Sequence, residues 1–249
     1  VPMPFAFPSA IVPWLVPLCA FFVCWLVLAV LMKRALRLPM DHPNERSLHV
    51  TPKPRIGGLG IMAGLLAAPV LIYAPALLPF MLGALALTAI SLLDDYKNLP
   101  VSLRLLAHVA VAIGCLLMLL GISVGSLVLA TLAIVWMTNL YNFMDGADGL
   151  AGGMAVTGFG ALAVAAGWAG ATELALFCAA IAAASLAFLR FNFPPATLFM
   201  GDAGSIPLGF LAAALAVYGV LQHYWPVLFP VMVFSPFILD ASVTLIKRG

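Results

Sequence analysis

Nine apolar stretches separated by short polar turns leave this chain few ways to fold. They cover residues 11–32, 57–73, 76–93, 105–120, 126–141, 150–168, 174–189, 206–221 and 225–246. A helix of about 17 to 25 apolar residues crosses the hydrocarbon core of a bilayer. In lipid a helix satisfies its own N–H and C=O groups, whereas an open strand does not. The expected fold is therefore all-α, a polytopic transmembrane helix bundle of about nine spans forming one domain over residues 1–249. Composition agrees, because 65% of the 249 residues are hydrophobic and only 8% are charged. A soluble domain carries about 25% charged residues, and so few polar groups could not cover a water-facing surface. No nucleic-acid partner is expected.

Details of the stretches sharpen this reading. The first is too long for a signal-peptide core and has no basic leader, so it is expected to span. The ninth contains Pro226, Pro230 and Pro236 and is expected to kink or break. Gly- and Ala-rich segments at 161–170 and 179–187 suit close helix packing. Cys19, Cys24, Cys115 and Cys178 all lie in apolar runs. Their spacing fits neither a zinc site nor a disulfide framework, which leaves them as small buried hydrophobes.

Charge sets the expected orientation. If the N-terminus lies on one side and the loops alternate, all 11 basic residues fall on the other side. The positive-inside rule makes that side cytoplasmic, with the N-terminus outside. Eight of the nine acids, Asp41, Glu45, Asp94, Asp95, Asp145, Asp148, Asp202 and Asp240, gather there too, and only Glu173 does not. The rule counts Lys and Arg, so it does not explain the acids. A site for a cation and phosphates does.

Four constellations carry this chemistry. The first loop holds Asp41-His42-Pro43-Asn44-Glu45-Arg46 and Thr51-Pro52-Lys53-Pro54-Arg55-Ile56-Gly57-Gly58. Its prolines and glycines shape it, and Arg46, Lys53 and Arg55 suit nucleotide phosphates or anionic headgroups. The second is Asp94-Asp95 at the end of the third stretch, followed by Arg104. Adjacent carboxylates repel unless a cation neutralises them, and Mg²⁺ takes one or two carboxylates plus substrate phosphates. The third runs from Asn139 through Asn142, Asp145-Gly146-Ala147-Asp148-Gly149. Were this turn helical, Asp145 and Asp148 would share a face. It lacks the acid that closes an EF-hand loop. The fourth runs from Asn192 through Pro194-Pro195 to Gly201-Asp202-Ala203-Gly204-Ser205. It sets a carboxylate beside the free N–H groups of a helix start, with Ser205 as the expected N-cap.

In these residues the chain resembles the polyprenyl-phosphate N-acetylhexosamine-1-phosphate transferases. That family shows an Asp-Asp pair after the third helix and Asn-x-x-Asn-x-x-Asp-Gly-x-Asp-Gly after the fifth. After the seventh it shows Asn-x-Pro-Pro-Ala followed by Phe-Met-Gly-Asp-x-Gly-Ser. All three stand here in order. The resemblance implies transfer of a sugar-1-phosphate from a UDP-N-acetylhexosamine to a membrane polyprenyl phosphate, with release of UMP. It implies Mg²⁺, which Mn²⁺ could replace. It casts Asp94, Asp95 and Asp145 as catalytic, and Asp202 with Asp145 as metal ligands. Asn139, Asp148, Asn192, Arg104 and Arg55 become substrate-binding residues. A bacterial inner (plasma) membrane location with a cytoplasmic active site follows, and a homodimer is compatible with it.

The first loop resembles the branch that initiates O-antigen and related surface polysaccharides. The branch acting on UDP-muramoyl-pentapeptide shows Thr-Pro-Thr-Met-Gly-Gly there and is the nearest alternative. The family continues into a loop with a histidine cluster and a last helix, ten spans in all. This chain, ending at Gly249, is expected to lack that part. His42, His49, His108 and His223 are assigned no catalytic role. An ion-coupled transporter would place its ionisable groups near the bilayer midplane. Other lipid-phosphate enzymes, such as alcohol phosphatidyltransferases, space their acids differently.

Overall fold

The computed structural model describes residues 12–33, 40–41, 51–67, 74–119 and 123–248. Ten helices account for most of them: α1 (Val12–Met32), α2 (Gly57–Ala67), α3 (Leu78–Lys97), α4 (Val101–Met118), α5 (Val124–Met144), α6 (Leu150–Trp168), α7 (Thr172–Asn192), α8 (Asp202–Leu221), α9 (Leu228–Val233) and α10 (Ser235–Arg248). A single 3-10 turn, Pro75–Leu77, leads into α3. The polytopic helical bundle is thus present, with seven helices among the described residues long and apolar enough to cross a membrane: α1 and α3 to α8.

Two of the nine stretches differ from that pattern. Helix α2 has 11 residues, short of a span; the rest of its apolar stretch, 68–73, lies outside the described residues. The ninth stretch is divided into α9 and α10 at Phe234. Prolines cause the break, as their positions foretold. Pro236 has no N–H to give to the Met232 carbonyl, and the Ser235 hydroxyl donates to that carbonyl instead at 2.7 Å.

Helix α8 is the axis of the bundle, packed against α2, α3, α5 and α6. Every residue from Ala203 to Ala216 is buried, as expected of a helix that is apolar on all sides. Pro207 lies inside it and frees the Ala203 carbonyl. The Thr88 hydroxyl of α3 donates chiefly to Ala84 O at 2.9 Å but also lies 3.4 Å from Ala203 O. Outward-facing side chains such as Phe22, Leu106, Leu129, Leu132 and Trp136 are exposed, and in a spanning bundle they would meet lipid rather than water.

Helix α2 wedges between α1, α7 and α8 because its glycines present bare backbone. A Cβ on Gly58 would lie 2.2 Å from the Gly204 nitrogen of α8, and one on Gly64 would lie 2.5 Å from the Ala20 carbonyl of α1. This close approach lets the segment before α2 pair with the segment before α8. Phe199 N donates to Pro54 O, Gly57 N to Phe199 O and Gly58 N to Met200 O, each at 2.9 Å. Arg55 and Phe199 form a parallel bridge. Ahead of it, strands β1 (Met40–Asp41) and β2 (Lys53–Pro54) pair antiparallel, Met40 opposite Pro54 and Asp41 opposite Lys53. The sequence reading had no strands in this loop.

Substitution Gly58→Ala should force α2 and α8 apart. The expected cost is roughly 1–3 kcal/mol of overpacking, seen as a lower thermal midpoint in detergent. Gly153→Ala, where an added Cβ meets nothing within 4 Å, should leave the midpoint unchanged or slightly raised.

Candidate active site

The acidic side chains of α3, α5 and α8 meet because those helices pack together and end at the same end of the bundle. Helix α8 begins at Asp202, behind Gly201 at φ 73°, a left-handed conformation suited to glycine. A Cβ there would also press on Arg55 Cβ at 3.2 Å. Gly201 therefore occupies the N-cap position. Ser205 does not cap α8 as expected; it sits inside the first turn because the non-helical backbone falls on Gly201. Its buried hydroxyl is shared between Gly201 O at 3.2 Å and Asn142 Oδ1.

Asp202 holds an ion pair with Arg55, Nη2 to Oδ1 at 3.0 Å. Asp145 follows directly on α5 and faces the same pair. Burial pushes its carboxyl up to about 8, the negative charge of Asp202 adds to the rise, and Arg55 and a Gly201 backbone hydrogen bond pull it back. Asp95 lies within electrostatic reach of Arg55, Asp202 and Asp94. Arg55, Asp95, Asp145 and Asp202 thus form one cluster drawn from three helix ends and one extended segment.

The remaining expected site residues do other things. Both oxygens of Asp94 are engaged: Oδ1 accepts from Leu99 N at 2.7 Å and Oδ2 from Arg104 Nη1 at 2.9 Å. One bond closes the α3–α4 turn, where Asn98 takes a left-handed conformation at φ 49°; the other holds Arg104. The 145–149 turn is not helical, so Asp145 and Asp148 do not share a helical face. Asp148 Oδ2 instead accepts from Ala196 N at 2.8 Å. Buried Asn192 accepts from Gly149 N at 2.9 Å and donates to Leu198 O at 3.0 Å. These two side chains tie the turn bearing Asp145 to the loop that leads to Asp202. Asn139 donates to Val135 O at 2.7 Å and approaches His108 Nδ1 at 3.4 Å.

Three contacts around the site were not foreseen in the sequence. His108 is buried next to Asn139 and within electrostatic reach of Arg104 and Asp202. Asn142 was quoted in its motif without a role, yet it braces Ser205. Lys53 Nζ sits 5.2 Å from the centre of the Phe199 ring. Only the Asn142 motif carried a signal that could have been read earlier; the other two contacts join segments far apart in the chain.

Among the described residues, no group of three or more His, Cys, Asp or Glu side chains closes around a point as a metal site. A hard cation needs only one or two protein carboxylates, with phosphate oxygens and water completing its shell. Asp145 and Asp202 fit such a donor set, since each raises the cost of the other's charge and a divalent cation would relieve it.

A helical membrane bundle with acidic side chains and an arginine gathered at one end is the architecture of a membrane protein with a polar site at one face, and comparison with known proteins gives its class. The chain matches the model of Glycosyl transferase family 4 over residues 77–220, from the start of α3 nearly to the end of α8. It belongs to that family. It is 30% identical over 246 residues to the probable undecaprenyl-phosphate N-acetylglucosaminyl 1-phosphate transferase of Bacillus subtilis, covering 90% of this chain and 68% of that relative. It is 30% identical over 242 residues to the decaprenyl-phosphate N-acetylglucosaminephosphotransferase of Mycobacterium leprae, covering 81% of this chain and 60% of the relative. A shorter match, 46% over 102 residues, is to the phospho-N-acetylmuramoyl-pentapeptide-transferase of Limosilactobacillus fermentum, covering 40% of this chain and 31% of that protein.

Two measurements check this geometry. In the unfolded chain the Asp145 carboxyl loses its proton near 3.8, but in the fold near 8. Without metal, stability should therefore fall as pH rises through that window. Asp145→Asn should flatten the decline and raise the thermal midpoint of the metal-free protein most at about pH 9, less at about pH 5 and hardly at all near pH 3.8. Separately, Asn192→Ala leaves Gly149 N and Leu198 O without partners and should cost roughly 1–3 kcal/mol, read as a lower midpoint with no ligand present.

Proposed function

We propose that this protein transfers an N-acetylhexosamine-1-phosphate from a UDP-sugar to a polyprenyl phosphate and releases UMP, on the cytoplasmic face of a bacterial inner membrane. Nine crossings with the N-terminus outside would put the cluster on that face, where all the basic residues fall. The reading is carried by the meeting of Asp95, Asp145, Asp202 and Arg55 at one end of a family 4 bundle. Two relatives matched over most of the chain are named as N-acetylglucosamine phosphotransferases on polyprenyl phosphates.

The chemical obstacle is repulsion between two anions, the lipid phosphate and the sugar diphosphate, in a low-dielectric setting. Mg²⁺ held by Asp202 and Asp145 would neutralise the diphosphate and the departing UMP. Arg104 and Arg55 supply further positive charge, and a guanidinium suits phosphate because it donates in a planar fork. A lipid phosphate oxygen attacks the β-phosphorus, the bond from that phosphorus to the UMP oxygen breaks, and UMP leaves with the electron pair. No general base is required, because the second pKa of a phosphate monoester is near 6 and the nucleophile is already ionised at neutral pH. Asp94, with both oxygens engaged, acts as a positioning residue for Arg104.

The 46% match to a muramoyl-pentapeptide transferase supports a second donor, UDP-muramoyl-pentapeptide. The first loop, with Lys53-Pro54-Arg55 before the glycines, favours the simpler sugar and a role in starting a surface polysaccharide. Purified protein in detergent, given Mg²⁺, undecaprenyl phosphate and a panel of UDP-sugars, should release UMP with a UDP-N-acetylhexosamine. Asp202→Asn should lower kcat about 100-fold or more, the scale of losing one charge-stabilising group. Turnover of the pentapeptide donor alone would transfer the reading to the other branch, and no UMP from any donor would refute it.

A further inference from the structure

Arg55 is already neutralised before any phosphate arrives. Its Nη2 lies 3.0 Å from Asp202 Oδ1, the two side chains being 33% and 20% exposed. Its charge also acts on Asp95 and Asp145. One guanidinium is thus paired with Asp202 and lies within electrostatic reach of two further acidic side chains. Two of these, Asp145 and Asp202, are the ones suited to a divalent cation. A guanidinium and a divalent cation sharing one carboxylate would repel each other across a few ångströms of partly desolvated space.

The backbone of Arg55 is fixed independently of that ion pair. It bridges Phe199, and the flanking bonds Phe199 N to Pro54 O and Gly57 N to Phe199 O are each 2.9 Å. Gly58 then lies against Gly204. The pivot therefore stays in place while the long, partly exposed side chain is free to change partners. A purely structural arginine would be expected to brace the fold, but here the main chain already does so.

We propose that Arg55 is a resident counter-cation. It competes with the divalent cation for Asp202 in the substrate-free protein and passes to a phosphate oxygen of the nucleotide diphosphate once that cation and the diphosphate are bound. This deepens the transferase reading and rests on it for the second half; the competition itself requires only the ion pair. It gives Arg55 two effects of opposite sign, weakening cation binding and strengthening substrate binding, so that metal and donor are taken up together.

The test is a Mg²⁺ titration of nucleotide-free protein, followed by calorimetry or by thermal stabilisation, on wild type, Arg55→Gln and Arg55→Lys. Arg55→Gln should bind Mg²⁺ roughly 3- to 10-fold more tightly, the range expected for removing one nearby positive charge. Arg55→Lys keeps the charge and should stay close to wild type. In turnover, Arg55→Gln should raise the KM for the UDP-sugar while lowering the Mg²⁺ concentration needed for half-maximal rate. Damage to the fold would weaken Mg²⁺ binding, so tighter binding cannot come from it. Unchanged or weaker Mg²⁺ binding in Arg55→Gln overturns the competition, and tighter binding with an unchanged KM overturns the transfer to phosphate. If wild type turns over no UDP-sugar, the transferase reading fails, while the Mg²⁺ titration still decides the competition.

Discussion

The contact of α2 with α8 through Gly58 and Gly204 is the constraint on which the site depends. Two helices can come this close only where neither carries a side chain, and in lipid such packing replaces the hydrophobic drive that holds soluble cores together. Because the backbones touch, the extended residues before each helix fall into register and hydrogen-bond. Arg55 is thereby delivered to Asp202 across 147 residues of sequence. Move the helices apart by the width of a methyl group, and the bridge, the ion pair and the first turn of α8 lose their alignment together.

Electrostatics explains why the cluster stands at a helix end rather than inside a span. Three carboxylates near one another are unfavourable anywhere, and in the hydrocarbon core the cost would grow steeply. At the end of the bundle the N-terminal dipole of α8 favours the Asp202 charge, the guanidinium of Arg55 offsets part of the rest, and Asp145 in the metal-free protein keeps its proton to about pH 8. The charge of Asp202 is thus met by Arg55, and that of Asp145 is avoided by keeping the proton. The struts around the cluster are hydrogen-bonded side chains: Asn192 with Gly149 N and Leu198 O, Asp148 with Ala196 N, and Asp94 with Leu99 N and Arg104.

Much of this was legible in the residues. The apolar lengths gave a helical membrane bundle, the prolines of the ninth stretch located its break, and the acids of three turns pointed to the cluster that α3, α5 and α8 bring together. The errors came where a local rule had a stronger competitor. Ser205 looked like an N-cap, but Gly201, at φ 73°, takes that position and Ser205 falls inside the first turn. Asp145 and Asp148 looked like a pair on one face, but the turn between α5 and α6 is not helical and sends them to different partners. Asp94 and Asp95 read as equals, yet the left-handed turn at Asn98 draws Asp94 back onto Leu99 and leaves Asp95 within reach of Arg55.

The sequence by itself determined the solvent, the helical class and which residue types gather at one end, because each follows from hydropathy, charge and turn chemistry read over neighbouring positions. Only the tertiary structure decided which carboxylates share a counter-cation and which are struts. Those choices depend on how α2, α3, α5 and α8 pack, and partners as distant as Arg55 and Asp202 leave no mark in the residues beside either one.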